Sequence, residues 1–457
     1  MAGPGAGRHP RTANLVRVSM ASSEPGVAGP ILTHAVAVRA LRVARAPRPE
    51  ALLAALGARR LPALATHRGR TIVACDPAEV LVGPEAWRAL ECEPWPVGAS
   101  HAMAGGWMGL LAYDLGGTIE RLPAPRPDPG GPPAAALGRY DTIASFDDAG
   151  GCTIASVDPD ERALHDLATI ATAVAGRRGR RATRPAPVAV DSSLGADGYR
   201  RAVSAARELI AAGDCYEVNL AQRLSAPWRA GPAALAEALW RAAGPTSHRA
   251  FVGLPGGAVV SASPERLLRI DGRRVLSEPI KGTARPGGAA ALARSAKDRA
   301  EHVMIVDLVR NDLGRVAATG SVRVPRLMAP YRIGYADHLV STVEADLAPG
   351  TSVADAVRAV FPGGSVTGAP KVRAMEVIRE LEPVARGPAY GSVLAMGRDG
   401  SLEASVAIRT AWLTGEEARY WCGGAVVWDS DPETERREAW AKATPFLAAV
   451  GAPAPEG

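Results

Sequence analysis

"RAFVGLPGGAVVSASPERLLRIDGRRVLSEPI", Arg249–Ile280, is the stretch whose reading decides the fold. Its apolar, β-branched runs are separated by turn glycines, the mark of a strand meander. Upstream, "CYEVNLAQRLSA" alternates as a strand, and "DGYRRAVSAARELIAAGD" (Asp197–Asp214) has a helical period with Asp at its start and Gly213 near its end. Downstream, "SAKDRAEHVMIVDLVRNDLG" (Ser295–Gly314) predicts a helix, and another is expected to begin with Pro370 as its first residue. The last strands are expected in "YGSVLAMGRDGSLEASVAIRTAWL" and "ARYWCGGAVVWD". Strands and helices are grouped rather than strictly alternating, which predicts an α+β fold.

The chain has 457 residues, 47% of them hydrophobic, enough for a large core. Residues 1–27 are Gly/Pro-rich and basic, lack the apolar centre of a secretory signal, and are expected to form a disordered tail. Residues 28–175 form a first region of short strands and turns, and 176–194 an Arg/Pro-rich linker. Residues 195–449 form a more regular second region, and 450–457 a tail. Net charge is +6, but "GRRGRRATRPAP" (Gly176–Pro187) supplies five arginines and no acid or aromatic, so a solvated linker is expected rather than a nucleic-acid surface. Five scattered cysteines without a C-x-x-C pair suit a reducing cytoplasm and argue against a zinc site. No apolar run approaches the ~20 residues of a membrane span.

Four stretches can carry chemistry. Asp298 and Glu301 lie three apart on one helix face, and Glu435 and Glu438 repeat that spacing after the helix start at Asp431-Pro432. Such carboxylate pairs can hold a hard cation, or can be ordinary acids of a solvated face. "FPGGSVTGAPKVRAMEVIRE" runs a glycine-rich loop into a helix start, a place receptive to anions. Ala369-Pro370 intervene between Gly368 and Lys371, so it is not a nucleotide P-loop. In "SEPIKGTARPGG", Lys281 follows a strand-like run. It is either a solvated charge or an amine whose pKa an apolar pocket depresses. Glu265, in "SASPERLL", is a carboxyl that can exchange protons beside it.

Together these stretches resemble the chorismate-utilising enzymes, specifically aminodeoxychorismate synthase component I, the large subunit of para-aminobenzoate synthase. The resemblance covers about residues 60 to 447. It runs in order through "GRTIVACDP", "GLLAYDLGGTIERLP", "GDCYEVNLAQR", "SASPERLL", "EPIKGTARP", "KDRAEHVMIVDLVRNDLGRV", "DHLVSTVEA", "GGSVTGAPKVRAMEVI", "AIRTAWL" and "DSDPETERREAWAKA". It implies large antiparallel sheets packed face to face with helices outside, the sequence regions intertwined in one body. Anthranilate synthases carry alanine where this chain has Lys281.

The resemblance implies that Lys281 attacks C2 of chorismate as the C4 hydroxyl departs with help from Glu265 as general acid. Ammonia, from a separate glutamine amidotransferase subunit or from solution, then attacks C4 to give 4-amino-4-deoxychorismate for folate or secondary metabolism. Mg²⁺ would be held by Glu301 and Glu438, with Asp298 and Glu435 close by. His338 would stand near the ring, and Arg409 would clamp the enolpyruvyl carboxylate. Gly364, Ser365, Gly368 and Lys371 would complete an anion site. Tyr390 stands one position after Ala389, where the family places an aromatic, and Glu217 replaces a more usual glutamine. The alternatives are a synthase of anthranilate or aminodeoxyisochorismate, or a non-catalytic arginine-rich binding or regulatory paralogue.

Overall fold

The computed structural model describes residues 38–91, 103–175, 188–334 and 336–453. The expected tail at 1–27, most of the linker, and the last four residues lie outside them. Among the described residues are two antiparallel sheets of 12 and 10 strands. Each sheet contains strands from both sides of the 176–187 segment: Ala63–His67 pairs with His248–Leu254 in the larger, and Gly106–Leu111 with Ser392–Gly397 in the smaller.

The sheets pack face to face. Successive side chains of a strand point to opposite faces, so in the larger sheet Val252 and Val259 enter the core between the sheets with Leu110, Leu268 and Trp412. Their neighbours Phe251 and Val260 point the other way, against the outer helices Pro232–Ala243 and Thr444–Val450. With both faces covered, Gly257–Ser263 is buried almost throughout, which explains its continuous apolar sequence.

The Arg249–Ile280 meander divides between the sheets. His248–Leu254 and Gly257–Ser263 form a hairpin in the larger sheet, turned by Gly256 at φ +84°. Arg266–Asp271 and Arg274–Glu278 form a hairpin in the smaller one. The chain changes sheets at Pro264-Glu265. A later crossing runs from the smaller sheet to the larger between Leu402–Val406 and Thr410–Thr414, through Ala407, Ile408 and Arg409. The two crossings lie side by side: the Val406 N–H donates to the Glu265 carbonyl (3.0 Å), the Ala262 N–H to the Arg409 carbonyl (3.1 Å), and Ser263 Oγ to the Val406 carbonyl (2.6 Å).

Two expected helix starts have their local causes in place. Ser295 caps Ala296–Gly314 by accepting the Asp298 N–H, and Asp431 caps Pro432–Lys442 by accepting the Thr434 N–H. One boundary differs. Pro370 is the residue before the helix Lys371–Leu381, with ψ 144°, because Gly368-Ala369 is drawn into pairing with Glu217-Val218. No described helix is long and apolar enough to cross a membrane.

Candidate active site

Beside the paired crossings lies a cavity of about 310 Å³, within the range of small-molecule sites. Its lining includes Lys281, Glu265, His338, Ser365, Tyr390 and Arg409, together with the four carboxylates Asp298, Glu301, Glu435 and Glu438. The structure thus brings ten of the thirteen expected site residues to one cavity. Gly364, Gly368 and Lys371 are not in its wall.

Glu265 is fixed by the first crossing and is 4% exposed. Its Oε1 accepts a 2.6 Å hydrogen bond from Ser365 Oγ. Burial pushes its pKa up to about 7, against the opposing pull of the Ser365 hydrogen bond and the Lys281 charge. A carboxyl at that value holds its proton on about half of the molecules at neutral pH, as a general acid requires.

His338 Nδ1 lies 3.0 Å from the Gly282 carbonyl, which can only accept, so Nδ1 carries the proton. Its Nε2, 3.3 Å from Arg409 Nη2, is then the acceptor. Burial, with the Arg409 charge, lowers the His338 pKa to about 4, which agrees with a neutral ring. The histidine therefore orients the guanidinium. Arg409 itself has φ +51°, a conformation side chains seldom adopt, and sits in the second crossing.

Lys281 fits neither alternative as stated, being buried yet charged. Burial does favour the neutral amine, but Glu217, Glu301 and Glu265 outweigh it, and the pKa lies above the ordinary lysine value. The principal contact is 2.9 Å from Nζ to Glu217 Oε1, with Glu217 fully buried and the lysine side chain 10% exposed. The resting side chain is an ammonium in an ion pair.

The acidic helices meet the cavity from two sides. Asp298 approaches the glycine after Lys281: a Cβ built on Gly282 would lie 3.6 Å from Asp298 Oδ1. A Cβ on Gly424 would lie 3.2 Å from Glu435 Oε2, 3.5 Å from Lys442 Nζ and 3.9 Å from Glu438 Oε1, so this glycine keeps open the space the carboxylates face. Glu435 is held by Ser430 Oγ (2.7 Å) and Glu438 by Lys442 (2.8 Å). Among the described residues no three His, Cys, Asp or Glu side chains converge as a ready-made metal cluster. The oxygen-only donor set and the open cradle at Gly424 do fit a hard divalent cation.

Three members of the expected anion loop do other work. Gly364 packs on the Ala296–Gly314 helix, where a Cβ would meet Leu308 Cδ2 at 2.6 Å. Gly368, at φ +137°, lets its backbone approach the Glu217 carbonyl, 2.0 Å from where a Cβ would stand. Lys371 Nζ pairs with Asp312 Oδ2 at 2.5 Å, both nearly inaccessible. Burial lowers the lysine's pKa and raises the aspartate's, each towards neutrality. A lysine at a helix start next to a glycine loop looks like an anion ligand, but Asp312, 59 residues away, captures it.

Asn219, in the wall, and Arg386, behind it, carried no site signal in the sequence. Asn219 donates from Nδ2 to the Ser365 carbonyl at 3.3 Å. Arg386, 1% exposed, inserts its guanidinium between the rings of Tyr113 and Tyr390, with centroids 4.5 and 4.6 Å away. It also donates to the carbonyls of Val366 and Asn219 and pairs with Glu382. Tyr390 is thus a braced wall of the cavity, at φ +64°. Lys442 had a legible signal, its i,i+4 spacing from Glu438.

The sequence matches the family described as chorismate binding enzyme over residues 64–448. It is 41% identical over 361 residues to anthranilate synthase component 1 of Thermus thermophilus, covering 76% of this chain and 77% of that protein. It is 38% identical over 385 residues to aminodeoxychorismate synthase component 1 of Klebsiella aerogenes, covering 82% and 83%. The fold superposes on the crystal structure of anthranilate synthase component I from Streptococcus pneumoniae with a TM-score of 0.73 at 25% identity, covering 82% of this chain and 92% of that one. The protein, whose cavity gathers an acid, a lysine and two carboxylate pairs, belongs to the chorismate binding enzyme family.

Proposed function

We propose that the protein converts chorismate and ammonia to 4-amino-4-deoxychorismate through a covalent bond to Lys281, with a glutaminase partner as the ammonia source. The observation that carries this reading is that Lys281 lines the same cavity as the buried Glu265, whose carboxyl burial favours in its protonated form. In this reading the Lys281 amine forms a bond to C2, both conjugated ring double bonds shift by one position, and the C4–O bond breaks. Glu265 delivers its proton to the departing hydroxyl, which leaves as water. Ammonia then bonds to C4, both double bonds shift back, the C2–N bond breaks to release the neutral lysine amine, and the new C4 ammonium can restore the proton that Glu265 gave up. Arg409, oriented by neutral His338, would hold a substrate carboxylate in a planar pair.

Glu301 and Glu438, with Asp298 and Glu435, would hold Mg²⁺, which when bound supplies positive charge to offset a substrate carboxylate. The remaining groups orient the ring and keep water from it. Arg386 braces Tyr390 and the backbone at Val366 and Asn219, so the wall does not give way as the cavity fills.

A second reading, anthranilate synthesis by attack of ammonia at C2, is favoured by the ion pair that holds Lys281 as an ammonium. Chromatography of the products from chorismate, Mg²⁺ and ammonium separates the two. The first reading expects 4-amino-4-deoxychorismate from the wild type, and from Lys281→Ala either no product or attack of ammonia at C2. Anthranilate as sole wild-type product, or an unchanged rate and product in Lys281→Ala, would overturn it.

A further inference from the structure

A nucleophilic lysine must give up a proton, and the geometry around Lys281 offers one receiver outside the cavity wall. Glu217 is the first residue of the strand Glu217–Pro227 in the larger sheet, whereas Lys281 lies in Ile280–Ala284 of the smaller. The close approach of Gly368 pins that end of the strand. Glu217 Oε1 sits 2.9 Å from Nζ. Glu217 Oε2 is buried and has no hydrogen-bond partner among the described residues. Burial of a carboxylate with half of its acceptor capacity unused is costly. Taking up a proton reduces that cost.

The other groups around Lys281 have their own engagements. Glu265 accepts from Ser365 and, in the proposed chemistry, must give a proton to the leaving group. Glu301, on the Ala296–Gly314 helix, bears on the lysine electrostatically, and Asp298 approaches the neighbouring Gly282. His302, on the same helix, has its pKa lowered to about 4 by burial and then by the Lys281 charge, and its Nε2 faces Ser341 Oγ at 2.6 Å. On the paired strand Ala336–Asp346, His338 turns to Gly282 and Arg409, and Asp337 to Arg332.

We propose that Glu217 is a positioning residue that takes the Lys281 proton within their ion pair once substrate fills the cavity, and returns it when the lysine is released. The inference rests on the covalent reading above. The proton moves from Nζ to Glu217 Oε1, leaving a neutral amine and a neutral carboxylic acid. The amine attacks C2 and becomes a secondary ammonium. Loss of the C2–N bond regenerates the neutral amine, and Glu217 protonates it. No proton need be exchanged with water on this limb.

The test compares wild type, Glu217→Gln and Glu217→Asp as full chains, in two ways. The first is competitive acetylation of Lys281 with acetic anhydride, without substrate, read by mass spectrometry at pH 8. It is expected to rise several-fold in Glu217→Gln, because the amine is no longer held as an ammonium, and to change little in Glu217→Asp. The second is kcat/KM for chorismate between pH 5 and 6, below the range in which Glu265 loses its proton. Wild type and Glu217→Asp are expected to be flat there. Glu217→Gln is expected to lose about tenfold for each pH unit lowered, because Lys281 must then be neutral before substrate binds. Equal acetylation of wild type and Glu217→Gln overturns the proposal whatever the product is. So does a flat kcat/KM profile in Glu217→Gln. A wild type that makes only anthranilate refutes the covalent function instead, and the acetylation comparison still decides whether Glu217 controls the lysine's proton.

Discussion

Ser365→Ala isolates the balance that sets the Glu265 proton. Burial raises this carboxyl to about 7, and the Ser365 hydroxyl, donating at 2.6 Å, is the largest influence pulling the other way. A hydrogen bond to a charged acceptor contributes about 1.5–3 kcal/mol. One pH unit corresponds to 1.36 kcal/mol. Removing the donor therefore moves the Glu265 titration up by about one to two pH units. A general acid acts in its protonated form, so its contribution is nearly complete a pH unit or more below 7 and is lost as pH rises through about 7. At pH 8 about a tenth of the wild-type carboxyls still carry a proton, and in Ser365→Ala that fraction rises about five- to tenfold. The assay is kcat/KM for chorismate consumption from pH 6 to 10. Ser365 also lines the cavity, so the overall rate can fall through lost substrate contact. The position of the alkaline limb, not its height, is the readout. A limb that stays in place, or moves down, would show that Glu265 is not the acid whose proton limits the reaction.

Two further substitutions test where the charges belong. Lys371→Met removes one partner of a buried pair and leaves Asp312 with only the half-exposed Arg315, 3.3 Å away, so it should destabilise the fold near neutral pH by less than the about 3–5 kcal/mol of a fully orphaned buried charge. The loss should shrink in acid, where the raised pKa of Asp312 lets it bind a proton. Thermal unfolding at pH 5 and pH 8 checks this, and an unchanged midpoint with a raised KM would restore Lys371 to substrate binding. Arg409→Lys keeps the charge but loses the planar fork that His338 orients, and should raise KM for chorismate about ten- to hundredfold. A KM within twofold of wild type would count against carboxylate clamping at this position.

The parts of the fold legible in the sequence are those whose causes are local. Ser295 and Asp431 cap the helices that follow them with their own side chains, and Gly256 turns the hairpin that contains it. The Asp298/Glu301 and Glu435/Glu438 spacings were visible because a helix repeats every three to four residues. The resemblance joined those pairs, and the structure places all four in one cavity wall. What stayed hidden depends on contacts between distant segments. Pro264 marks a break in a strand, but not that the strands on either side belong to different sheets, nor that a second crossing at Arg409 lies against it. Lys371 reads as an anion ligand until Asp312 is brought beside it. Lys281 is the sharpest instance. Its own neighbours, Ile280 and Gly282, suggest a pocket that would strip its charge, and burial does act in that direction. The sign is reversed chiefly by Glu217, 64 residues earlier in the chain and in the other sheet, with Glu301 and Glu265 adding to it. The resting charge of the lysine is therefore a property of how the two sheets meet. A chain with the same residues around Lys281 but glutamine at 217 would lack the ion pair that holds the lysine's proton.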